Sequence, residues 1–132
     1  MSGSRSYSRK PAPLSESDAD ALIIQAQTDL NLDQFDTADA ALITRLVEGF
    51  NDTRGMKRLA FAEILGRVGK PATSELIDGL SNHENPVVRR ACAKTMTLIA
   101  DPTTIPTLVD ALQRDEDTVV QASSVGAIAV MG

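Results

Sequence analysis

Few side chains in this 132-residue chain have the capacity for covalent or metal chemistry. It contains one cysteine, Cys92, and one histidine, His83. A single thiol excludes an internal disulfide and favours a reducing compartment such as the cytoplasm. One His and one Cys cannot supply a common zinc site. The segment GRVGK (66–70) lacks the spacing of a phosphate-binding loop and ends a helical pattern. We therefore find no self-contained active site in the sequence.

The charge of the chain is unevenly distributed. The net charge is −5, but residues 1–10 carry Arg5, Arg9 and Lys10 and no acid, so residues 11–132 carry −8. An acidic body argues against a nucleic-acid partner, which needs a concentrated basic surface. No apolar run approaches the roughly 20 residues of a membrane span, and no apolar stretch follows the basic N-terminus as in a secretory signal.

Two helical patterns recur with a period near 31 residues. RLVEGFND (45–52), ELIDGLSN (75–82) and TLVDALQR (107–114) share the order Leu, branched aliphatic, acid, small, large apolar. A second pattern follows each of them, at 58–69, 89–100 and 121–132. Helix pairs of this length cannot cover their own apolar faces and must stack.

The repeat predicts an all-α solenoid of stacked antiparallel helix pairs. We predict three regions: a flexible basic tail rich in Ser and Pro (1–14), N-terminal capping helices (15–53) and the repeats (54–132), of which the last is incomplete. In this alignment Cys92 shares a column with Phe61 and Ser124, which is typical of a partly buried packing position. His83 lies in the polar turn SNHENP, where we expect it to face solvent or cap a helix; hydrogen bonding to a ligand is the alternative.

The segment 85–130 resembles a HEAT repeat, in particular the short version found in phycobilisome (bilin) lyases. The resemblance is carried by Val88-Arg89, an Ala-rich helix, Asp101, Pro106 and a final Ala111-Leu112. Asn85 and Gln121 depart from the usual Asp and Arg, so the ladder of Asp–Arg pairs between units should be partial, with Asp117 and Arg89 as one candidate pair. The N-terminal part looks like the phycobilisome-degradation (non-bleaching B type) branch.

The resemblance implies partners and a ligand. Phycobiliprotein subunits or other phycobilisome proteins would be the partners, and phycocyanobilin or a related linear tetrapyrrole the ligand, with none bound tightly. The site of action would be the cytoplasm, including the cytoplasmic face of thylakoids. Attachment, detachment and antenna degradation all stay open, as does lyase activity itself. The alternative is a non-enzymatic HEAT scaffold of an unrelated pathway.

Two charged sets are candidate sites. The helices expected to line the concave face carry a predicted partner-binding set, with a histidine beside it: Glu48, Glu75, Asp78, Asp110 and His83. A second set is predicted to meet bilin propionates or to pair between repeats: Arg58, Arg89 and Arg90. A solvated face is the alternative for both.

The last repeat has a first helix, QASSVGAIAVMG (121–132), but no second one. We expect Ile128, Val130 and Met131 to be left uncovered. The chain would then be a fragment of a longer protein, or this edge would mediate self-association or partner binding.

Overall fold

The computed structural model describes residues 5–132, which contain seven α-helices and no strand. The helices are α1 (Glu16–Asn31), α2 (Ala40–Glu48), α3 (Gly55–Val68), α4 (Thr73–Asn82), α5 (Pro86–Ile99), α6 (Ile105–Arg114) and α7 (Thr118–Met131). Short 3-10 turns lie at Gly49–Asn51, Lys70–Ala72 and Pro102–Thr104. The predicted all-α solenoid is confirmed.

Side-chain caps define where several helices begin. Ser15 accepts the N–H of Asp18 at the start of α1. Asn85 and Asp117 do the same for α5 and α7, and Pro86 occupies the first position of α5, where a missing N–H costs nothing. These local signals are readable in the sequence, which is why the helices could be predicted.

The helices form two layers. α3, α5 and α7 stack side by side in one, and α2, α4 and α6 in the other, with α1 packed against α3. The core between the layers is almost entirely aliphatic, with Phe50 and Phe61 as its fully buried aromatics. Two glycines permit close approach: a Cβ on Gly49 would meet the Phe61 ring at 2.5 Å, and one on Gly79 would meet Cys92 Sγ at 2.6 Å.

The outer face of α7 is uncovered and apolar. Its exposed positions lie on less than half of the helix circumference. Apart from Thr118 at the first position, they are all small or aliphatic: Val119, Ala122, Val125, Gly126, Ala129 and Val130. Of the three residues predicted to be uncovered, only Val130 is exposed, at 62%. Ile128 and Met131 turn inward and are half-buried against the core.

The N-terminal segment differs from the predicted flexible tail. Residues 5–12 run in an extended conformation along the helices of the second layer and are hydrogen bonded to them. Composition predicted flexibility because the segment lacks apolar periodicity, but ion pairs and hydrogen bonds hold it against the helices. The part of the predicted tail at residues 1–4 lies outside the described residues.

Candidate functional site

The second layer presents a row of acids at equivalent positions of successive repeats. Glu48, Asp78 and Asp110 occupy the same position in α2, α4 and α6, and Glu75 lies one turn before Asp78. These are the four carboxylates of the predicted partner-binding set. We call the surface that they line the acidic groove.

Arg9 joins three of these carboxylates. Its guanidinium donates to Glu48 Oε2 at 2.9 and 3.1 Å, to Asp78 Oδ2 at 2.7 Å and to Glu75 Oε2 at 3.3 Å. Within residues 5–132, no other Lys or Arg lies within 4 Å of any of the three. One arginine from the N-terminal segment therefore bridges the acids of two neighbouring helices and offsets part of their charge.

Glu48 is the centre of this cluster and is only 5% exposed. Besides Arg9, its carboxylate accepts the N–H of Ala12 at 2.8 Å, the Asn51 amide at 2.8 Å and His83 Nε2 at 3.0 Å. Burial alone would raise the pKa of Glu48, but the hydrogen bonds from His83, Ala12 and Asn51 outweigh it and lower the pKa to about 2.

His83 is fully buried and lies at the C-cap of α4, so of its two predicted positions the solvent-facing one is wrong and the helix end is the one observed. Its Nδ1 accepts the N–H of Asn85 at 3.0 Å, which leaves the ring proton on Nε2, directed at Glu48. The ring thus fixes the turn between α4 and α5 and orients the central carboxylate. It has no surface to offer a ligand.

Arg5 occupies the groove one repeat further along. Its guanidinium donates to Asp110 at 2.9 Å and to Asp115 at 3.2 Å. Asp115 is buried and also forms a paired contact with Arg89, at 3.0 and 3.2 Å. The Arg89 guanidinium lies 3.8 Å from the centre of the Tyr7 ring, a cation–π contact.

The Asp–Arg pairs between repeats differ from the predicted Asp117–Arg89 pair. Arg89 binds Asp115, and Asp117 binds Arg90 at 3.3 Å. Arg89 also donates to the carbonyl oxygens of His83 and Glu84, so its donors are committed inside the protein. Of its two predicted roles, inter-repeat pairing is the one that the structure shows.

Arg58 and Arg90 lie on the opposite layer, in an open pocket between α3 and α5 with a volume of about 390 Å³. The pocket combines three cations with aliphatic walls: Arg58, Arg90 and Lys94 with Leu59, Ala62 and Leu98. Leu59 and Leu98 are more than half exposed. Arg90 Nε is buried and has no hydrogen-bond partner among the described residues.

Cys92 is a packing residue, as predicted, although it is fully rather than partly buried. Burial raises the pKa of its thiol far above the ordinary value. A buried and protonated thiol cannot serve as a nucleophile. In residues 5–132, moreover, no group of three or more His, Cys, Asp or Glu is arranged to hold a metal ion.

The HEAT-repeat family model matches residues 42–129, which span α2 to α7. The chain belongs to the HEAT-repeat family. It is also 39% identical over 88 residues to the bilin biosynthesis protein MpeU of Synechococcus sp. (strain WH8020). The alignment covers 67% of this chain but only 30% of that relative. Both findings confirm the resemblance to HEAT-like, bilin-related proteins, and the phycobilisome-degradation branch stays a prediction. No solved structure matches.

The acidic groove also involves residues beside the HEAT repeats and between their helices that no sequence pattern indicated. Asp115 gave no signal because it lies outside the repeated helices, and Arg5, Tyr7 and Arg9 lie in a segment without apolar periodicity. The one usable signal was the alternation of Arg and Tyr with Ser in RSYSR (5–9), which is typical of an extended segment with one inward face.

Within residues 5–132, no helix is both long and apolar enough to cross a membrane.

Proposed function

We propose that this HEAT-repeat chain binds phycobiliprotein subunits or their bilin chromophores and acts in bilin handling at the phycobilisome. The observation that carries the proposal is its 39% identity over 88 residues to a protein named for bilin biosynthesis. The chain spans 30% of the length of that relative. A role in attachment, detachment or antenna degradation would place it in the cytoplasm, including the cytoplasmic face of thylakoids.

The pocket between α3 and α5 has the chemistry to hold a linear tetrapyrrole. Such a ligand combines apolar pyrrole rings with two propionates. Leu59 and Leu98 offer apolar contact, and Arg58 and Arg90 offer guanidinium groups for the carboxylates. Both arginines keep further N–H donors beside the ones that they use within the protein, where Arg58 donates to Asp52 O and Arg90 to Asp117.

In this proposal the protein acts by positioning. Cys92 is inaccessible, so the thiol that takes part in bilin attachment or release belongs to the client phycobiliprotein. Holding the bilin and the client cysteine together lowers the barrier through proximity and orientation. The ligand would be phycocyanobilin or a related linear tetrapyrrole.

Co-expression with phycocyanobilin tests the ligand. We expect visible absorbance to co-purify with the native chain and to fall at least about fivefold in an Arg58→Ser, Arg90→Ser variant, because two propionate contacts are lost. Arg67→Ser is the matched control: it lies on α3, outside the pocket, and should keep the pigment. If both variants co-purified with the same amount of pigment, the pocket would not be the bilin-binding site.

Retention on immobilised phycobiliprotein tests the partner. If the native chain neither retains pigment nor binds the phycobiliprotein, the phycobilisome proposal is wrong. The alternative is a HEAT scaffold of another pathway, which the acidic groove favours because the contacts that it makes with the chain's own N-terminal segment involve only protein groups.

A further inference from the structure

The N-terminal segment lies in the acidic groove as a peptide ligand would. Its backbone makes two hydrogen bonds with the end of α4: the Arg9 N–H donates to Asn82 O at 2.8 Å, and the Glu84 N–H donates to Arg9 O at 2.9 Å. Arg5, Tyr7 and Arg9 face the protein, whereas Ser6 and Ser8 face solvent. This alternation is that of an extended strand.

The spacing of the two arginines matches the spacing of the repeats. Arg9 binds the equivalent acids of α2 and α4, and Arg5 binds the equivalent acid of α6. Four residues of extended chain span roughly 13 Å. Neighbouring packed helices lie about 8–10 Å apart, and the arginine side chains are long enough to make up the difference. An extended peptide therefore presents arginines in step with the carboxylates of successive HEAT units.

A third contact gives the groove selectivity at the middle position. The Tyr7 ring covers the Arg89 guanidinium, which the buried Asp115 carboxylate holds in place. The Tyr7 hydroxyl accepts the N–H of Glu116 at 3.3 Å. A flat aromatic side chain with a polar tip fits this position.

We propose that the acidic groove is a binding site for an extended segment of a partner protein with two arginines four residues apart and an aromatic residue midway between them. Residues 5–12 occupy it as an intramolecular competitor. This proposal concerns the acidic groove and stands independently of the bilin pocket on the opposite layer.

A partner peptide could replace the N-terminal segment without uncovering the hydrophobic core. No residue of 5–13 belongs to the hydrophobic core, and Leu14 is the first side chain that packs against it. The ion pairs, the cation–π contact and the hydrogen bonds of the segment are contacts that a partner peptide of the same pattern could reproduce. A short linker keeps the segment at an effective concentration on the order of millimolar, so a partner must compete with it.

A labelled peptide of sequence RSYSRKPA, corresponding to residues 5–12, tests the proposal by fluorescence anisotropy. The native full chain should bind it weakly, because the groove is filled. A full chain carrying Arg5→Ser and Arg9→Ser should bind it at least about tenfold more tightly, since its own segment no longer competes. The assay contains no bilin and no phycobiliprotein, so its outcome is separate from that of the proposed function.

Two controls identify the site. A peptide with serine in place of both arginines should not bind, and adding Asp78→Asn and Asp110→Asn, two half-exposed acids of the groove, to the released chain should abolish the tighter binding. If the released chain is folded by circular dichroism but binds the peptide no more tightly than the native chain, the proposal is wrong. If the double variant does not fold, Tyr7→Ser is the milder release: we expect at least about threefold tighter binding from loss of the cation–π contact, and no change would overturn the proposal.

Discussion

At the scale of single residues, Glu48 combines deep burial with an ionised carboxylate. It is stable in this state because Arg9, His83, Asn51 and the Ala12 N–H all donate to it. Removing one member of such a cluster lowers the stability by more than the intact pair contributes, because the remaining charges stay buried without a partner. The N-terminal segment, the α4–α5 turn and α2 are therefore coupled through one side chain.

The stability of the protein should fall in acid because of Glu48. Its pKa is lowered from 4.5 to about 2 in the folded state, so its contribution is complete above about pH 4.5 and is lost as the pH falls toward 2. We expect Glu48→Gln to lower the free energy of unfolding by about 3 kcal/mol at pH 6, and by much less near pH 2.5. Urea unfolding of both proteins at each pH measures this.

The exposed Glu63 on α3 supplies the control for that experiment. Glu63→Gln should change the free energy of unfolding by less than about 0.5 kcal/mol at either pH. A Glu48→Gln deficit of equal size at pH 6 and pH 2.5 would show that the variant acts through packing and not through ionisation.

Cys92 should be unreactive in the native protein. The side chain is fully buried and its pKa is raised by burial, so a thiol reagent meets neither an accessible nor an ionised sulfur. We expect reaction with a disulfide reagent only after denaturation, at one equivalent per chain. Rapid labelling under native conditions would contradict the packing assignment.

At the scale of elements, α4 and α5 approach closely because a glycine faces a cysteine. A Cβ at position 79 would lie 2.6 Å from Cys92 Sγ and 3.4 Å from Val47. A real Cβ does not come this close to another heavy atom, so a larger residue requires the Cys92 side chain or the two helices to shift. The small residue in the repeat is needed here for packing.

Gly79→Ala should therefore lower the free energy of unfolding by about 1–2 kcal/mol, although alanine is the better helix former. In a Cys92→Ala background the same change should be neutral or stabilising, because the sulfur is gone. Gly126→Ala on α7 is the matched control: open space surrounds it, and we expect a gain of about 0.5–1 kcal/mol. Equal destabilisation by both alanines would refute the close-contact explanation.

At the scale of the whole molecule, one end of the solenoid presents an uncovered apolar face. Every exposed residue of α7 after Thr118 is small or aliphatic, and Val125 and Val130 are 46% and 62% exposed. In a HEAT solenoid the following unit normally covers the corresponding face of the unit before it. The α7 face is therefore suited to contact with another helix pair.

We expect the 132-residue chain to self-associate through this face. Sedimentation velocity should show an average mass that rises with concentration, and Val125→Glu with Val130→Glu should give a monomer, because two charges would be buried in the contact. As a control, Gln25→Glu and Thr28→Glu place two charges at exposed polar positions one turn apart on α1 and should leave association unchanged. A native chain that is monomeric at all concentrations would contradict this prediction.

The sequence by itself determined the helices, their pairing and the row of acids on the second layer. Helical periodicity, caps and a repeat near 31 residues are local signals, so Glu48, Asp78 and Asp110 could be assigned to one surface without coordinates. Only the tertiary structure decided what that surface binds, that Arg89 pairs with Asp115, and that His83 is buried. The contacts of the N-terminal segment with the groove join residues 36 to 110 positions apart. They depend on charge and reach in three dimensions, for which the order of residues gives no periodic signal.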